Sequence, residues 1–371
     1  MDFGFTPEQD ALRELAQKIF GDLSTHERLK VVEKDYDCFD RELWKKLAEA
    51  SLLGLAFPEA GGGSGLGFLE LCLVLEQVGA TVAAVPFWTS VVCAGLPIAR
   101  YGSAAQQKRW LAPLAAGEIV LSAALTEMPA DDPLAPQTRA EPSGSAWKLH
   151  GVKECVPSAH LAARILVPAR TAKGVGLFLV DPTAPGATLL RQQATNRHPI
   201  AKLTLDAVAV GADDVVGDPA EGAAALRWLV ERATVGLCAM EAGIVERALR
   251  ITAQYTRERK QFDRVIASFQ AVQQRAADAW IGMEGIRLLV WQAAWRLAHD
   301  MPATDEVVIA KYWAAEQGHQ AVYAAQHLHG GIGVDVDYPV HRYYLWSRHI
   351  ELTLGCGARQ LAALGERIAA A

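Results

Sequence analysis

The sequence lacks paired cysteines, long apolar runs and an excess of positive charge. Its six cysteines include no Cys-X-X-Cys pair, and its N terminus shows no signal peptide pattern. We therefore expect reduced, mostly buried thiols in a cytoplasmic protein. No apolar run reaches the roughly 18 residues of a membrane-spanning helix, so no membrane association is predicted. The net charge of −6 argues against a nucleic-acid partner, which would favour a basic patch.

The first third of the chain has the spacing of amphipathic helices. Thr6 is predicted as a helix N-cap, with Pro7 at the first helical position and Gln9 completing a capping box. Asp40 is predicted to cap a second helix. Gly79 is expected to end a third, apolar helix.

The middle of the chain has short runs of β-branched and aromatic residues, separated by Pro, Gly, Asp and Ser. This pattern predicts a compact antiparallel β barrel or sandwich. The expected strands are Val120–Thr126, Trp147–Val156, Ala163–Ala169, Val175–Val180, Ala187–Leu190 and Lys202–Val210.

Helical spacing returns in the last third. The expected helices are Ala223–Arg257, Ser268–His299, Asp305–His329 and Tyr344–Ala369, the last with a break near Gly355. The 371 residues are enough for two or three domains. We expect a multi-domain α+β protein: a helical domain at 1–118, a β domain at 119–218 and a four-helix bundle at 219–371.

Two motifs in the last third carry chemical information. The first is Arg259-Lys260-Gln261-Phe262, followed by Phe269-Gln270. The planar fork of an arginine can clamp a pyrophosphate. The second is the Gly330-Gly331 pair, where the absence of Cβ atoms lets the backbone approach a ligand closely. In this order, within helical sequence, the motifs resemble the flavin-binding half of the acyl-CoA dehydrogenases.

The resemblance extends over nearly the whole chain and implies FAD as cofactor, bound across a subunit boundary. His327 stands where many members have Gln, but a histidine can still donate one hydrogen bond. The resemblance implies cofactor contacts from Arg259, Gln261, Phe262, Phe269, Gln270, His327, Gly330, Gly331, Leu125 and Thr126.

The chain departs from the family near the flavin ring. After Thr126 the family has a small Gly/Ser/Asp turn, whereas this chain has an acidic loop containing Asp131 and Asp132. We interpret this loop as exposed to solvent. Cys155 and Pro157 stand where many members have an aromatic residue and a threonine. Their smaller size hints at a roomy site for a bulky acyl group. Cys155 as a nucleophile is disfavoured, because no activating partner can be named.

The family's reaction needs a carboxylate to remove the α-proton while a hydride leaves the β-carbon for the flavin. The commonest position for this base corresponds to Leu354, which cannot accept a proton. The alternative family positions, on the preceding long helix, fall on Ala233 and Met240. Three possibilities remain: Glu241 is the base, Glu351 is the base, or a partner chain supplies it.

The resemblance therefore implies FAD-dependent α,β-dehydrogenation of an acyl-CoA, with electrons passing to an electron-transfer flavoprotein. We expect a homo- or hetero-oligomer, either a dimer or a tetramer; an α2β2 assembly with a related chain would match steroid side-chain dehydrogenases of bacteria. One alternative is that this protein is a non-catalytic subunit, which completes the flavin site of a heteromeric acyl-CoA dehydrogenase. Another is an oxidase or oxygenase of the same fold. A metal site formed by His327, His329 and His341 is disfavoured, because no Cys or carboxylate completes a ligand set.

Overall fold

The computed structural model describes residues 4–129 and 132–370. Asp131 of the predicted acidic loop lies outside the described residues. The helices are α1 (Pro7–Leu23), α2 (His26–Val32), α3 (Arg41–Glu49), α4 (Phe68–Ala80), α5 (Leu96–Tyr101), α6 (Ala104–Gln106), α7 (Ala112–Ala115), α8 (Gly222–Glu258), α9 (Gln270–Ala298), α10 (Thr304–His329), α11 (Val340–Leu352) and α12 (Gly357–Ala370). π-Helical segments Trp88–Gly95 and Gln107–Leu111 lead into α5 and α7.

The strands are β1 (Val120–Ala123), β2 (Arg139–Ser143), β3 (Ala146–Pro157), β4 (Ala162–Arg170), β5 (Val175–Val180), β6 (Ala187–Gln193), β7 (Pro199–Val210), β8 (Val215–Val216), β9 (Lys260–Gln261) and β10 (Arg264–Val265). The predicted order of helices, β sheet and helical bundle is confirmed.

The predicted caps form as expected at the first helices. The Thr6 hydroxyl accepts a hydrogen bond from the backbone N–H of Gln9, whose side chain bonds back to the Thr6 backbone N–H. The Asp40 carboxylate accepts from the backbone N–H groups of Glu42 and Leu43 and begins α3. Gly79 differs from its prediction, because it lies within α4 rather than beyond its end.

Gly79 serves close helix packing instead. A Cβ at Gly79 would lie 1.9 Å from the carbonyl oxygen of Met240 on α8. The reciprocal position on α8 is Gly243, where a Cβ would lie 1.9 Å from the carbonyl oxygen of Glu76 on α4. The two glycines therefore let the backbones of α4 and α8 meet directly.

An eight-stranded sheet forms the middle of the chain, with the order β6-β7-β3-β2-β4-β5-β8 and with β1 paired to β4. The sheet is mixed: most pairings are antiparallel, but β1 and β2 run parallel to β4. Its core is built from alternating apolar side chains that include Leu149, Ile165 and Phe178. The register of β3 against β7 shifts between Lys153 and Val156, which indicates a β-bulge.

The described chain divides into two compact units. The bundle unit contains residues up to His26, Cys72–Ala83 and all residues from Thr234 onward. The sheet unit contains Glu27–Leu71 and Ala84–Ala233. Among the described residues, no helix is both long and apolar enough to cross a membrane.

Candidate flavin and acyl-CoA site

The arginine motif of the bundle unit forms a short hairpin directly after α8. Strands β9 and β10 pair in antiparallel fashion, with Arg264 opposite Gln261. The connecting residues Phe262 and Asp263 both have positive φ, at 54° and 62°. Such a turn is characteristic of two-residue hairpins and usually contains glycine. This hairpin was not predicted from the sequence, because neither turn residue is glycine.

The hairpin presents polar and aromatic groups to the surface. Arg259 and Gln261 are exposed, and Phe262 is 86% exposed. Its ring meets Phe269 edge-on, with ring centroids 6.2 Å apart. The Arg264 guanidinium lies 4.0 Å from the Phe269 ring centroid. Gln270 begins α9 beside them and is exposed as well. An exposed guanidinium beside one exposed and one half-buried ring fits an anionic ligand with a planar end.

The glycine motif follows the C-terminal end of α10. Gly330 has φ 63° and ψ −140°, a combination that favours glycine. A Cβ added at Gly330 or Gly331 would meet no heavy atom within 4 Å. Both glycines therefore border open space that a ligand can approach along the backbone. His327, one turn earlier, is exposed, and its ring stacks on that of Tyr323 with centroids 6.5 Å apart.

Tyr255 joins the two motifs. Its ring stacks on the ring of His329 at a centroid distance of 4.4 Å, and its hydroxyl donates to the His329 carbonyl at 3.4 Å. Its own carbonyl accepts a hydrogen bond of 2.8 Å from the backbone N–H of Arg259. The arginine hairpin and the glycine turn are thus neighbours on one surface of the bundle unit.

In the sheet unit, the predicted flavin-facing segment follows β1. Leu125 is buried and Thr126 is half-buried. The Thr126 carbonyl accepts a hydrogen bond of 2.9 Å from the backbone N–H of Glu154, on the bulge of β3. Cys155 on this bulge is exposed, with φ 52°. Partial burial, and secondarily the charge of Glu154, raise the pKa of the Cys155 thiol, which makes it a poorer nucleophile.

Glu241 lies inside the bundle unit with no exposed surface. Its Oε1 accepts a hydrogen bond of 2.5 Å from the Ser347 hydroxyl, and its Oε2 has no hydrogen-bond partner. Burial raises the pKa of Glu241 to about 8; Ser347 and Lys311 act in the opposite direction. A Cβ at Gly318 would lie 2.3 Å from Oε1, so this glycine makes room for the carboxyl group.

Glu351 lies on α11 and is engaged by neighbouring basic groups. Its Oε2 contacts the Arg348 guanidinium and lies 3.5 Å from Nδ1 of His319. The backbone nearby is also fixed. The buried Lys311 ammonium donates to the carbonyls of Ile350 at 2.6 Å and of Glu351 at 3.2 Å.

Leu354 occupies the turn after α11, with φ 56°. The Gln360 side chain donates to its carbonyl at 3.0 Å. The turn at the family's usual base position is therefore ordered but carries an apolar side chain. Within the described ranges, no group of three or more His, Cys, Asp or Glu side chains is placed to hold a metal ion.

Sequence reasoning missed three residues of the carboxyl environment: Lys311, Gly318 and Ser347. Two of them, Lys311 and Gly318, lie about two turns apart on the same face of α10, and the third lies on α11. The available signal was a lysine and a glycine within an alanine-rich helix, where each is unexpected.

Comparison with known proteins agrees with this geometry. Residues 6–118 match the model of the acyl-CoA dehydrogenase N-terminal domain, and residues 220–369 match that of the C-terminal domain. The chain is 38% identical to acyl-CoA dehydrogenase FadE27 of Mycobacterium tuberculosis over 377 residues, covering 100% of this chain and 99% of that protein.

Two solved structures are also similar over nearly their whole length. A variant of the Tcur3481–Tcur3483 steroid ACAD is 45% identical, with a TM-score of 0.92 and coverage of 98% of both chains. The ChsE4–ChsE5 complex from Mycobacterium tuberculosis is 39% identical, with a TM-score of 0.94 and coverage of 100% of this chain and 99% of that chain. The chain belongs to the acyl-CoA dehydrogenase family, oxidoreductases that act on CH–CH groups.

Proposed function

We propose that this chain is the flavin-binding subunit of a heteromeric acyl-CoA dehydrogenase, in which a related chain supplies the proton-abstracting carboxylate. The observation that carries this proposal is the state of the three base positions. Leu354 is apolar, Glu241 has no exposed surface, and Glu351 is paired with Arg348. A general base must reach the proton that it removes.

FAD fits the surface that Tyr255 organises. The exposed Arg259 would hold the pyrophosphate, the backbone of Gly330 and Gly331 would approach it, and Phe262 and Phe269 would border the adenine. Gln261, Gln270 and His327 would donate hydrogen bonds at the same surface. We assign Leu125 and Thr126 to the flavin ring. Bound FAD would supply the hydride acceptor, and the protein supplies placement.

The substrate we propose is an acyl-CoA with a bulky acyl group, of the steroid side-chain type. The exposed Cys155 in place of an aromatic residue supports a roomy site. The similar structures named for a steroid ACAD and for a two-component complex support both this substrate class and a heteromer.

An electron-transfer flavoprotein is the proposed electron acceptor, and the cytoplasm is the proposed location. Domain boundaries at 1–118, 119–218 and 219–371 remain part of the proposal.

A second candidate keeps the base on this chain. Burial raises the pKa of Glu241 to about 8, and a pKa in this range suits a general base near neutral pH. Its Oε2 is free of hydrogen bonds. In that case the chain alone would be a complete dehydrogenase.

The test compares the chain purified alone with the chain co-expressed with a related acyl-CoA dehydrogenase chain that carries a glutamate at the usual base position. Each preparation is mixed anaerobically with a steroid side-chain acyl-CoA, and flavin bleaching is followed. We expect bound FAD and rapid bleaching only in the mixed preparation. Rapid bleaching by the chain alone would favour Glu241 or Glu351 instead. An oxygen-dependent product without anaerobic bleaching would indicate an oxygenase.

A further inference from the structure

A buried ion pair lies directly beside the segment assigned to the flavin ring. The Glu127 carboxylate and the Lys153 ammonium are 2.7 Å apart, and their side chains are 7% and 1% exposed. Removing two charges from water is costly, and an apolar pair of similar shape is often as stable. Stability alone therefore does not explain why the pair is present.

The remaining contacts of the pair hold several stretches of the sheet unit together. The Glu127 Oε1 accepts from the backbone N–H of Thr138 at 3.0 Å and from its hydroxyl at 2.6 Å, and the other oxygen accepts from the Gln137 backbone N–H. Lys153 also donates to the Pro168 carbonyl on β4 at 2.8 Å. Burial acts to raise the pKa of Glu127, but Lys153 and Thr138 outweigh it and leave that pKa lowered. The carboxylate therefore stays charged.

Backbone hydrogen bonds hold the Leu125–Thr126 segment at both of its ends. On one side, the Ala124 backbone N–H donates to the Leu166 carbonyl at 2.9 Å. On the other side, Thr126 accepts from the backbone N–H of Glu154, the residue after Lys153. The ion pair thus fixes both chain segments that meet at Thr126. Glu127 directly follows Thr126, and Lys153 directly precedes Glu154, which donates the hydrogen bond to Thr126.

We propose that Glu127 and Lys153 are positioning residues for the flavin: their ion pair sets the backbone of Leu125–Thr126 against the bulge of β3 so that this segment can receive the cofactor ring. The inference rests on the proposed function, because it takes Leu125 and Thr126 as flavin contacts. Neither residue of the pair touches the cofactor in this account. Both act through the Thr126–Glu154 hydrogen bond.

The test uses the double variant Glu127→Gln/Lys153→Met, which removes both charges but preserves shape. A single substitution would leave a buried, unpaired charge. The proteins are prepared as the mixed complex. Amide exchange at Glu154 is measured after FAD removal, and FAD dissociation is measured in the loaded complex. We expect a midpoint of urea unfolding close to that of the wild type, at least about tenfold faster Glu154 exchange and at least about tenfold weaker FAD binding.

A matched control is Lys202→Met. Lys202 makes a partly buried ion pair of 2.8 Å with Glu154 on the same bulge, and its loss should change neither readout. If the double variant exchanges Glu154 and holds FAD like the wild type, the pair is merely structural and the proposal is overturned.

A milder variant keeps the test decisive if the double variant does not fold. Thr138→Val removes one hydroxyl donor of Glu127 and retains the ion pair, and it should accelerate Glu154 exchange in the same direction. Unchanged exchange would overturn the proposal. The exchange measurement needs no cofactor. A wild-type complex that holds no FAD would therefore contradict the proposed function, while Glu154 exchange would still show whether the pair orders the backbone at Thr126 and Glu154.

Discussion

Ser347 on α11 donates a hydrogen bond of 2.5 Å to the carboxyl group of Glu241 on α8, and both side chains are buried. Burial raises the pKa of Glu241 to about 8, against the opposing effects of Ser347 and Lys311. At neutral pH this carboxyl group is therefore mostly protonated. The bundle unit holds a neutral acid in its core rather than a buried anion.

The first prediction concerns the pH dependence of stability. The folded pKa of Glu241 lies above its ordinary value of 4.5. The protonated group therefore makes its full contribution to the free energy of unfolding below pH 4.5. This contribution is lost as pH rises towards the folded pKa, because the unfolded chain releases the proton first. Relative to Glu241→Gln, the free energy of unfolding of the wild type should fall by about 2 kcal/mol from about pH 5 to about pH 7.

Urea unfolding of the two proteins over this pH range measures that difference. Groups that do not interact with Glu241 titrate alike in both proteins, so their effects largely cancel. A constant difference between the wild type and Glu241→Gln would show that Glu241 is not protonated in the fold.

The second prediction concerns Gly318. A Cβ at this position would lie 2.3 Å from Oε1 of Glu241, so Gly318→Ala should lower the free energy of unfolding by about 1–3 kcal/mol. The matched control is Gly365→Ala on α12, where a Cβ meets nothing within 4 Å. That change should be neutral or stabilising by up to about 1 kcal/mol.

A double-variant cycle identifies the clashing partner. When Glu241 is first replaced by Ala, the additional change at Gly318 should cost less than about 0.5 kcal/mol, because the carboxyl group is gone. Equal costs in both backgrounds would place the clash elsewhere in the bundle.

The third prediction concerns the arginine hairpin. Arg259→Ala should weaken FAD binding about ten- to hundredfold, the range expected for charge-assisted hydrogen bonds to a phosphate. The melting temperature of the FAD-free protein should be unchanged, since Arg259 is exposed. Lys260→Ala, its exposed neighbour, is the matched control and should retain FAD. Equal losses in both variants, measured by FAD fluorescence on dissociation, would reduce the motif to general surface charge.

The fourth prediction concerns the base. In the mixed complex, Glu241→Gln and Glu351→Gln should each lower the anaerobic bleaching rate by less than about tenfold. Removal of a true general base costs on the order of a hundredfold or more. A loss of that size in either variant would place the base on this chain. The corresponding glutamate-to-glutamine change in the partner chain is the positive control.

The sequence predicted the helices and the longer strands well, since caps and apolar spacing are local signals. Strand β2 was missed because Arg139–Ser143 is polar and contains Pro142, which argues against a strand inside a sheet. Gly79 was taken for a helix end, but its role is a close contact with the backbone of Met240. Such a contact between distant segments leaves no local trace in the sequence.

The sequence suggested a candidate site as a set of residues but did not predict the surroundings of those residues. Resemblance selected Arg259 and the Gly330–Gly331 pair, yet it gave no physical link between them. The link is the contact of Tyr255 with His329, 74 residues further along the chain. Likewise, Glu241 and Glu351 were both candidates from the sequence alone. Their difference in burial and pairing depends on Lys311, Arg348 and Ser347, which the fold brings together.

The stack of Tyr255 on His329 also limits how the chain can be shortened. The His329 ring stacks on Tyr255, whose carbonyl accepts the Arg259 backbone N–H, so the two motifs are directly linked. A fragment ending before His329 would lose the second motif and also the support of the first. A fragment that keeps both motifs and their contact must therefore include α8 and α10 together with the Gly330–Val334 turn.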